Sequence, residues 1–399
     1  MTNQWTGGQY AIFRFLLGAY LAIHFTHLLP WGGELFSSAG MLANAHASPL
    51  LELFPSVLRL YDAPWVVSCL LALGTLAGMA LAVGTHDRVA AVVAWYVLAC
   101  LFTRDPLIAN PGLPYLGWML LAHVVMPKPA LDWKMPRPIY FAAWAVLALS
   151  YSYSGYTKLL SPSWVAGDTL AFVLQNPLAR DYFLREWALA LPESALRLVT
   201  WAILYVELFF ALLVLSRRVR PVAWATMLTA QFGFLFLLNF PDLTTPMLLF
   251  HLLTFDPAWL KARRAAATET IFYDGTCGFC HRVVRFTLAE NPDARFQFAP
   301  LQGAHFAAAL SDKVRAALPD SFVVVTEDGL VLLKSEAVIH LLQRLGGLWL
   351  PAAWLLASLP RALRDAGYDI VGRARQRLYR RPASLCPIVT PALRRRFIV

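Results

Sequence analysis

Cys277 and Cys280, in the run Asp274-Gly-Thr-Cys277-Gly-Phe-Cys280-His281, have the plainest chemical capacity in this chain. A Cys-x-x-Cys pair between a strand and a helix supports thiol–disulfide exchange. Unpaired N–H groups and the positive dipole end at the helix start favour a thiolate at the first cysteine. The second, one turn on, is placed to attack the resulting mixed disulfide. The same residues satisfy two other patterns. Cys-x-x-Cys-His attaches c-type haem, which requires an extracytoplasmic location, and Cys386 with His281 completes a Cys3His zinc set. Cys386 is distant and no second Cys-x-x-Cys exists, so no metal ligand set is assigned. Cys69 and Cys100 sit inside apolar runs and read as small buried hydrophobes.

A second set lies in the apolar part of the chain: Arg14, His24, His27, His123, Lys158, Glu207, Gln231 and His251. Ionisable groups in lipid are functional candidates by default. Arg14 and Glu207 read as partners, while Lys158, at the end of an apolar run, serves equally as a snorkelling anchor.

The elements that must position these groups fall into two parts. Apolar runs at 9–29, 64–84, 88–103, 113–127, 137–159, 195–216, 221–240 and 243–258 predict a polytopic helical membrane domain of about eight spans over 1–260. The segments between them at 30–63 and 160–194, rich in Pro, Trp and Tyr, predict packed loops with short amphipathic stretches such as Thr169–Gln175. After Lys261-Ala-Arg-Arg264, residues 265–399 predict a compact α/β domain. Strands are expected at 270–273 and 295–299, with a hairpin, Phe322–Thr326 and Leu330–Leu333, around Asp328-Gly329. Helices are expected at 281–290, 304–317 and Ser335–Arg344, with Ser335 as an N-cap. The order β-α-β-α-β-β-α is the thioredoxin pattern, followed by a helical extension over 348–381.

Hydrophobic residues are 58% of the chain and charged residues 15%, far from the soluble average. Residues 1–259 hold 14 basic and 13 acidic side chains, and residues 260–399 hold 20 and 11, so nearly all of the net charge of +10 is C-terminal. Beside a membrane domain that basicity points to anionic lipid headgroups rather than nucleic acid. The tail arginines Arg373, Arg375, Arg377, Arg380, Arg381, Arg394, Arg395 and Arg396 are expected to touch the membrane, with Trp349 and Trp354 in the interface beside them. Basic residues at the span ends, from Arg88, Lys128 and Lys134 to Arg217, Arg218, Arg263 and Arg264, collect on the side of the N-terminus. An inner-membrane protein with both termini cytoplasmic is expected.

Tyr273-Asp274-Gly275-Thr-Cys277-Gly-Phe-Cys280 resembles the opening signature of the thiol-disulfide oxidoreductase DCC family. The resemblance continues through Lys334-Ser335-Glu336-Ala337 and Leu359–Tyr368 to Cys386, covering roughly 268–397. It implies a thioredoxin-like fold, redox chemistry at Cys277 and Cys280, a part for Asp274 beside them, and no cofactor for this domain. Ser154-Gly-Tyr-Thr-Lys158-Leu, followed by Trp164-Val-Ala-Gly167, is similar to the lysine loop of vitamin K-dependent gamma-carboxylases and the HTTM membrane domain. That likeness loosely covers 8–256. It implies a membrane quinone, with Lys158 as the base toward its reduced form. Glu207 is expected as a second polar group in the same pocket. This chain has Thr157-Lys158 where the carboxylases have a lysine pair, and it lacks their large lumenal portion, so protein glutamate carboxylation is not expected.

The expectation is therefore a membrane-anchored thiol-disulfide oxidoreductase acting on a dithiol or disulfide, protein or small molecule, coupled to a membrane quinone. One rival is a quinone-using carboxylase-like or lyase-type enzyme whose C-terminal domain recycles reducing power. The other is a non-catalytic membrane protein using the cysteines as soft metal ligands.

Overall fold

Apolar runs too long for loops fold as helices throughout the first part of the chain in the computed structural model, which describes residues 5–108, 110–128, 130–262, 266–290, 296–317, 322–378, 382, 384, 386–387 and 391–398. Eight main helices occupy the eight expected windows: α1 Gly7–Leu28, α2 Pro64–Val83, α3 Asp87–Arg104, α4 Leu113–Val124, α5 Arg137–Lys158, α6 Glu193–Leu208, α7 Arg220–Leu237 and α8 Pro241–Thr254. Proline in the first turn starts α2, α4, α5, α7 and α8, where its missing N–H is no loss.

Among the described residues, only Gly7–Phe36 and Pro64–Val83 are long and apolar enough to cross a membrane alone. A third candidate pairs Phe183–Leu189 with Glu193–Leu208 across a bend of 104°. The expectation of about eight spans is corrected accordingly. Helix α4, at 12 residues, reaches about 18 Å against a hydrocarbon core of about 30 Å. The run expected at 195–216 stops being one helix at Phe209, and a separate turn forms over Phe210–Leu213. Helix α3 is long enough but carries Asp87, Arg88 and Arg104. The loops are packed as expected, with short helices over Gly32–Phe36, Pro162–Ala166, Thr169–Gln175 and Phe183–Leu189.

The chain divides into two compact units: Ala11–Met126 with Pro136–Phe255, and Asp256–Val399 with Met1–Tyr10 and Pro127–Met135. The second unit thus includes segments from within the expected 1–260 domain. Lys261 is described, whereas Arg263 and Arg264 of the expected boundary lie outside the described residues.

In the second unit the order is β1 Glu269–Tyr273, α9 Gly278–Glu290, β2 Phe296–Pro300, α10 Ala304–Ala309, α11 Asp312–Ala317, β3 Val323–Val325, β4 Val331–Leu333 and α12 Lys334–Leu345. This is the expected β-α-β-α-β-β-α succession, with the helix at 304–317 broken in two. The sheet order is β2-β1-β3-β4. Strands β1 and β2 are parallel, while β3 runs antiparallel to both β1 and β4. The β3–β4 turn places Gly329 at φ +76°, the conformation that favours glycine after Asp328. Ile271, Tyr273, Phe296, Phe298 and Val324 form the buried core with Val284 and Leu288 of α9 and Ala337 and Leu341 of α12.

Ser335 is not the N-cap of α12. The helix starts one residue earlier, and the Ser335 hydroxyl donates to Asp365. Glu269, buried at the start of β1, receives Arg344 at 2.6 Å and His340 at 3.0 Å and pins α12 to the sheet. Burial pushes the Glu269 carboxyl up, but those two partners outweigh it and hold it below its ordinary pKa. Beyond α12 the extension forms α13 Trp349–Ser358 and α14 Arg361–Leu378, separated at Pro360.

Candidate functional site

The Cys277–Cys280 centre is built by a turn between the end of β1 and the start of α9. Asp274 begins it as an Asx turn: its Oδ1 accepts from the Thr276 N–H at 2.8 Å, the Thr276 hydroxyl at 2.7 Å and Gln302 Nε2 at 2.9 Å. Gln302 also accepts from the Gly275 N–H at 3.1 Å, so one side chain after β2 clamps both sides of the turn. The Cys277 N–H donates to the Asp274 carbonyl at 3.2 Å, which directs the chain into α9. The His281 ring nitrogen Nε2 sits 3.0 Å from the Gly275 carbonyl and braces the turn from the helix side.

Both sulfurs are nearly buried, Cys277 at 7% exposure and Cys280 at 5%. The Cys280 N–H donates to Cys277 Sγ at 3.2 Å. Arg375, on α14, brings Nη1 to 3.7 Å from Cys280 Sγ. These contacts separate the two thiols electrostatically. The Cys280 thiol first, then the Cys280 N–H, Arg375 and the Phe279 N–H stabilise a Cys277 thiolate against its burial, lowering its pKa to about 6. Donating that hydrogen bond to Cys277, together with burial, pushes the Cys280 thiol far up. One thiolate beside one protonated thiol is the arrangement that exchange requires of an attacking and a resolving cysteine.

Asp274 touches neither sulfur by a hydrogen bond. Burial raises its pKa, but the bonds from Thr276 and Gln302 outweigh that and keep it ionised. Its negative charge adds to the raising of Cys280. Its contacts are with the turn, and its effect on the thiols is the smaller one of its charge.

Cys386 lies beside the end of β1. Its thiol lies within hydrogen-bond reach of the Tyr273 hydroxyl, which burial and that bond push up. Among the described residues no three His, Cys, Asp or Glu side chains converge as metal ligands would.

Arg375 was expected in the membrane-facing tail and instead stands 5% exposed against the cysteines, a correction to that reading. Arg373, Arg394 and Arg395 are exposed, and Arg396 is half-buried. The side chain of Arg377, and Arg380 and Arg381, lie outside the described residues. Sequence reasoning also missed Gln302. The one available signal for Arg375 was helical spacing: Leu363 and Ile370 mark one face of α14 and Arg375 the other.

In the helical unit Lys158 and Glu207 come together as an ion pair, and Lys158 Nζ lies 4.5 Å from the centre of the Trp164 ring. The expected partner of Glu207, Arg14, binds Asp87 at 3.2 Å instead. Gly155 causes the match: a Cβ there would lie 2.3 Å from the backbone nitrogen of Leu208, so only glycine lets α5 approach α6 this closely. Lys158, one turn on, is thereby carried over Glu207.

Comparisons with known proteins bear on the second unit. Residues 271–381 match the family described as DCC1-like thiol-disulfide oxidoreductase. The chain is 30% identical over 134 residues to the uncharacterized protein YuxK of Bacillus subtilis (strain 168), covering 33% of this chain and 93% of that protein. No solved structure matches the chain. With the thiol pair, the turn that holds it and all of the sheet except the first two residues of β1 inside the matched segment, the chain belongs, through its C-terminal domain, to the DCC1-like thiol-disulfide oxidoreductase family.

Proposed function

We propose that this protein is a membrane-anchored thiol-disulfide oxidoreductase in which Cys277 attacks and Cys280 resolves. The observation that carries the reading is the split between the two thiols, one lowered to about 6 and the other raised. The Cys277 thiolate attacks one sulfur of a substrate disulfide. The bond to Cys277 forms, the substrate S–S bond breaks, and the leaving thiolate takes a proton. The Cys280 thiol then loses its proton and attacks Cys277 Sγ, which releases the second substrate thiol. The substrate disulfide has gained two electrons, and the Cys277–Cys280 pair has become a disulfide, which a second dithiol reduces by the same steps reversed. The test is trapping: Cys280→Ser should accumulate a mixed disulfide on Cys277 with a model disulfide, and Cys277→Ser should not. Full turnover by both variants would end the assignment.

The membrane half of the proposal includes a quinone and a cytoplasmic location for both termini. The support for a quinone is the donor set of Lys158 and Glu207 beside Trp164: an ammonium–carboxylate couple next to an aromatic face. A bound quinone would supply two-electron chemistry within the bilayer. Lys158 and Glu207 would hold and pass a proton between Nζ and the carboxylate. Quinone retained by the wild type after gentle purification and lost by Lys158→Ala would support this; equal retention would remove it. Reporter fusions after residue 262 and within 37–63, the segment between the two candidate spans, should report opposite sides of the membrane, and equal signals would overturn the topology.

A further inference from the structure

Helix α14 is built inside out. Its inward face holds Arg375 and Arg364, with Tyr368, whose hydroxyl accepts from the Phe322 N–H at 3.0 Å. Its outward face exposes Leu363 and Ile370, each by 60%, and Val371 by 49%. The preceding α13 exposes Trp354 by 54% and Leu355 by 71%, and Leu359 between the helices is exposed as well. Among the described residues of the second unit, Leu330 is the sole other exposed large hydrophobic side chain. A run of large apolar groups facing outward on consecutive helices marks an interaction surface.

We infer that the outward face of α13 and α14 is a docking surface for an anionic lipid bilayer. Three observations choose that occupant. The first is charge: Arg361 and Arg373 stand exposed beside the apolar residues, and residues 260–399 carry 20 basic side chains against 11 acidic. Apolar residues flanked by arginine suit the acyl–headgroup boundary of an anionic leaflet. The second is Trp354, of the type enriched at membrane interfaces.

The third is a tether. The buried Glu290 carboxylate accepts from the Trp349 indole N–H at 2.7 Å, from the Gly8 N–H at 2.8 Å and from the Thr6 hydroxyl. Trp349 is the first residue of α13, and Gly8 lies in the first turn of α1, the start of the 30-residue apolar stretch Gly7–Phe36. One carboxylate therefore holds together the start of a helix fit to cross the bilayer and the start of the exposed helix pair. Because the inner face of α14 carries Arg375 to Cys280, lipid docking would keep the thiol pair about one helix diameter, roughly 10 Å, from the leaflet. The substrates this favours are disulfides held at the membrane surface.

The inference rests on the membrane anchoring proposed above, and the experiment separates the two. Full-length protein carrying the photo-crosslinker p-benzoylphenylalanine at Leu363, at Ile370 or at the control Leu330 would be reconstituted into vesicles. One set would contain phosphatidylcholine alone and the other a mixture with phosphatidylglycerol. Iodoacetamide labelling of Cys277 at the wild-type rate would show that each variant retains its fold. Lipid adducts at Leu363 and Ile370 but not at Leu330, several-fold more abundant in the anionic vesicles and reduced by salt, are expected. Adducts to protein, or none at Leu363 and Ile370 in protein that floats with the vesicles, would overturn the docking surface and leave the anchoring intact. Equal yields in both lipids would overturn its anionic character. Failure of the protein to float would overturn both readings.

Discussion

The thiol centre and the lysine centre each hold a charged group in a poorly hydrated place, and they are assembled in opposite ways. Cys277 is placed chiefly by one turn of chain: Asp274, Thr276 and the first N–H groups of α9 all lie within a few residues of it, with Gln302 clamping the turn from after β2. Lys158 is placed by two helices that meet through Gly155, and its partner Glu207 lies 49 residues away. The first kind of site tolerates change in its surroundings, because its geometry is local. The second depends on a helix–helix distance that one methyl group would alter. Arg375 is where the two modes meet, since it is a distant residue added to a locally built centre.

The largest effect should come from the sulfur itself. Cys277→Ser should reduce disulfide exchange to background in a spectrophotometric dithiol assay, while Lys158→Ala leaves exchange with a soluble disulfide unchanged. Loss of exchange in Lys158→Ala would break the contrast between the centres.

Next in size is the packing-built pair. Glu207→Gln leaves Lys158 without its counter-charge in a mostly buried position, and loss of one partner of such a pair costs about 3–5 kcal/mol. Thermal unfolding in detergent should show the loss, and Lys158→Met combined with Glu207→Leu should recover most of it. A single variant as stable as the wild type would show that the pair is solvated and contributes little.

Arg375 should have an intermediate effect, visible as a pH shift. The alkylation rate of Cys277 should rise with pH and reach half its maximum at about 6. Arg375→Met should move that midpoint up and leave less thiolate below it, and Arg375→Lys should restore most of the shift. An unmoved midpoint in Arg375→Met would show that the local turn alone sets the acidity. The sign for stability follows: a thiol lowered in the fold stabilises the reduced domain above the unfolded thiol's pKa, near 8.5. That contribution is lost as the pH falls through about 6.

The smallest effect belongs to Asp274. Asp274→Asn keeps an oxygen able to accept from Thr276 but removes a charge, so the exchange rate should change by less than about tenfold. Asp274→Ala should cost about 1 kcal/mol more in stability by freeing the turn. A collapse of exchange in Asp274→Asn, with stability unchanged, would place Asp274 in the chemistry rather than in the positioning of the loop.

Local features of this protein were legible without the structure. The Asp274–Cys280 turn, the Asp328-Gly329 hairpin, the β-α-β-α-β-β-α order and the apolar helices are encoded by neighbours in sequence, because short-range hydrogen bonds and side-chain period act over one or two turns. The tertiary structure decided the rest. It chose Lys158 over Arg14 for Glu207, turned Arg375 from the tail onto Cys280, and used Glu290 to tie the start of α1 to Trp349. It also ended helices such as α4 and α6 short of a bilayer's thickness where the apolar runs alone implied longer spans. The physical reason is common to all of these. A long-range partner or a helix end depends on which backbones can approach, and that distance is a property of packed elements that no single stretch of sequence carries.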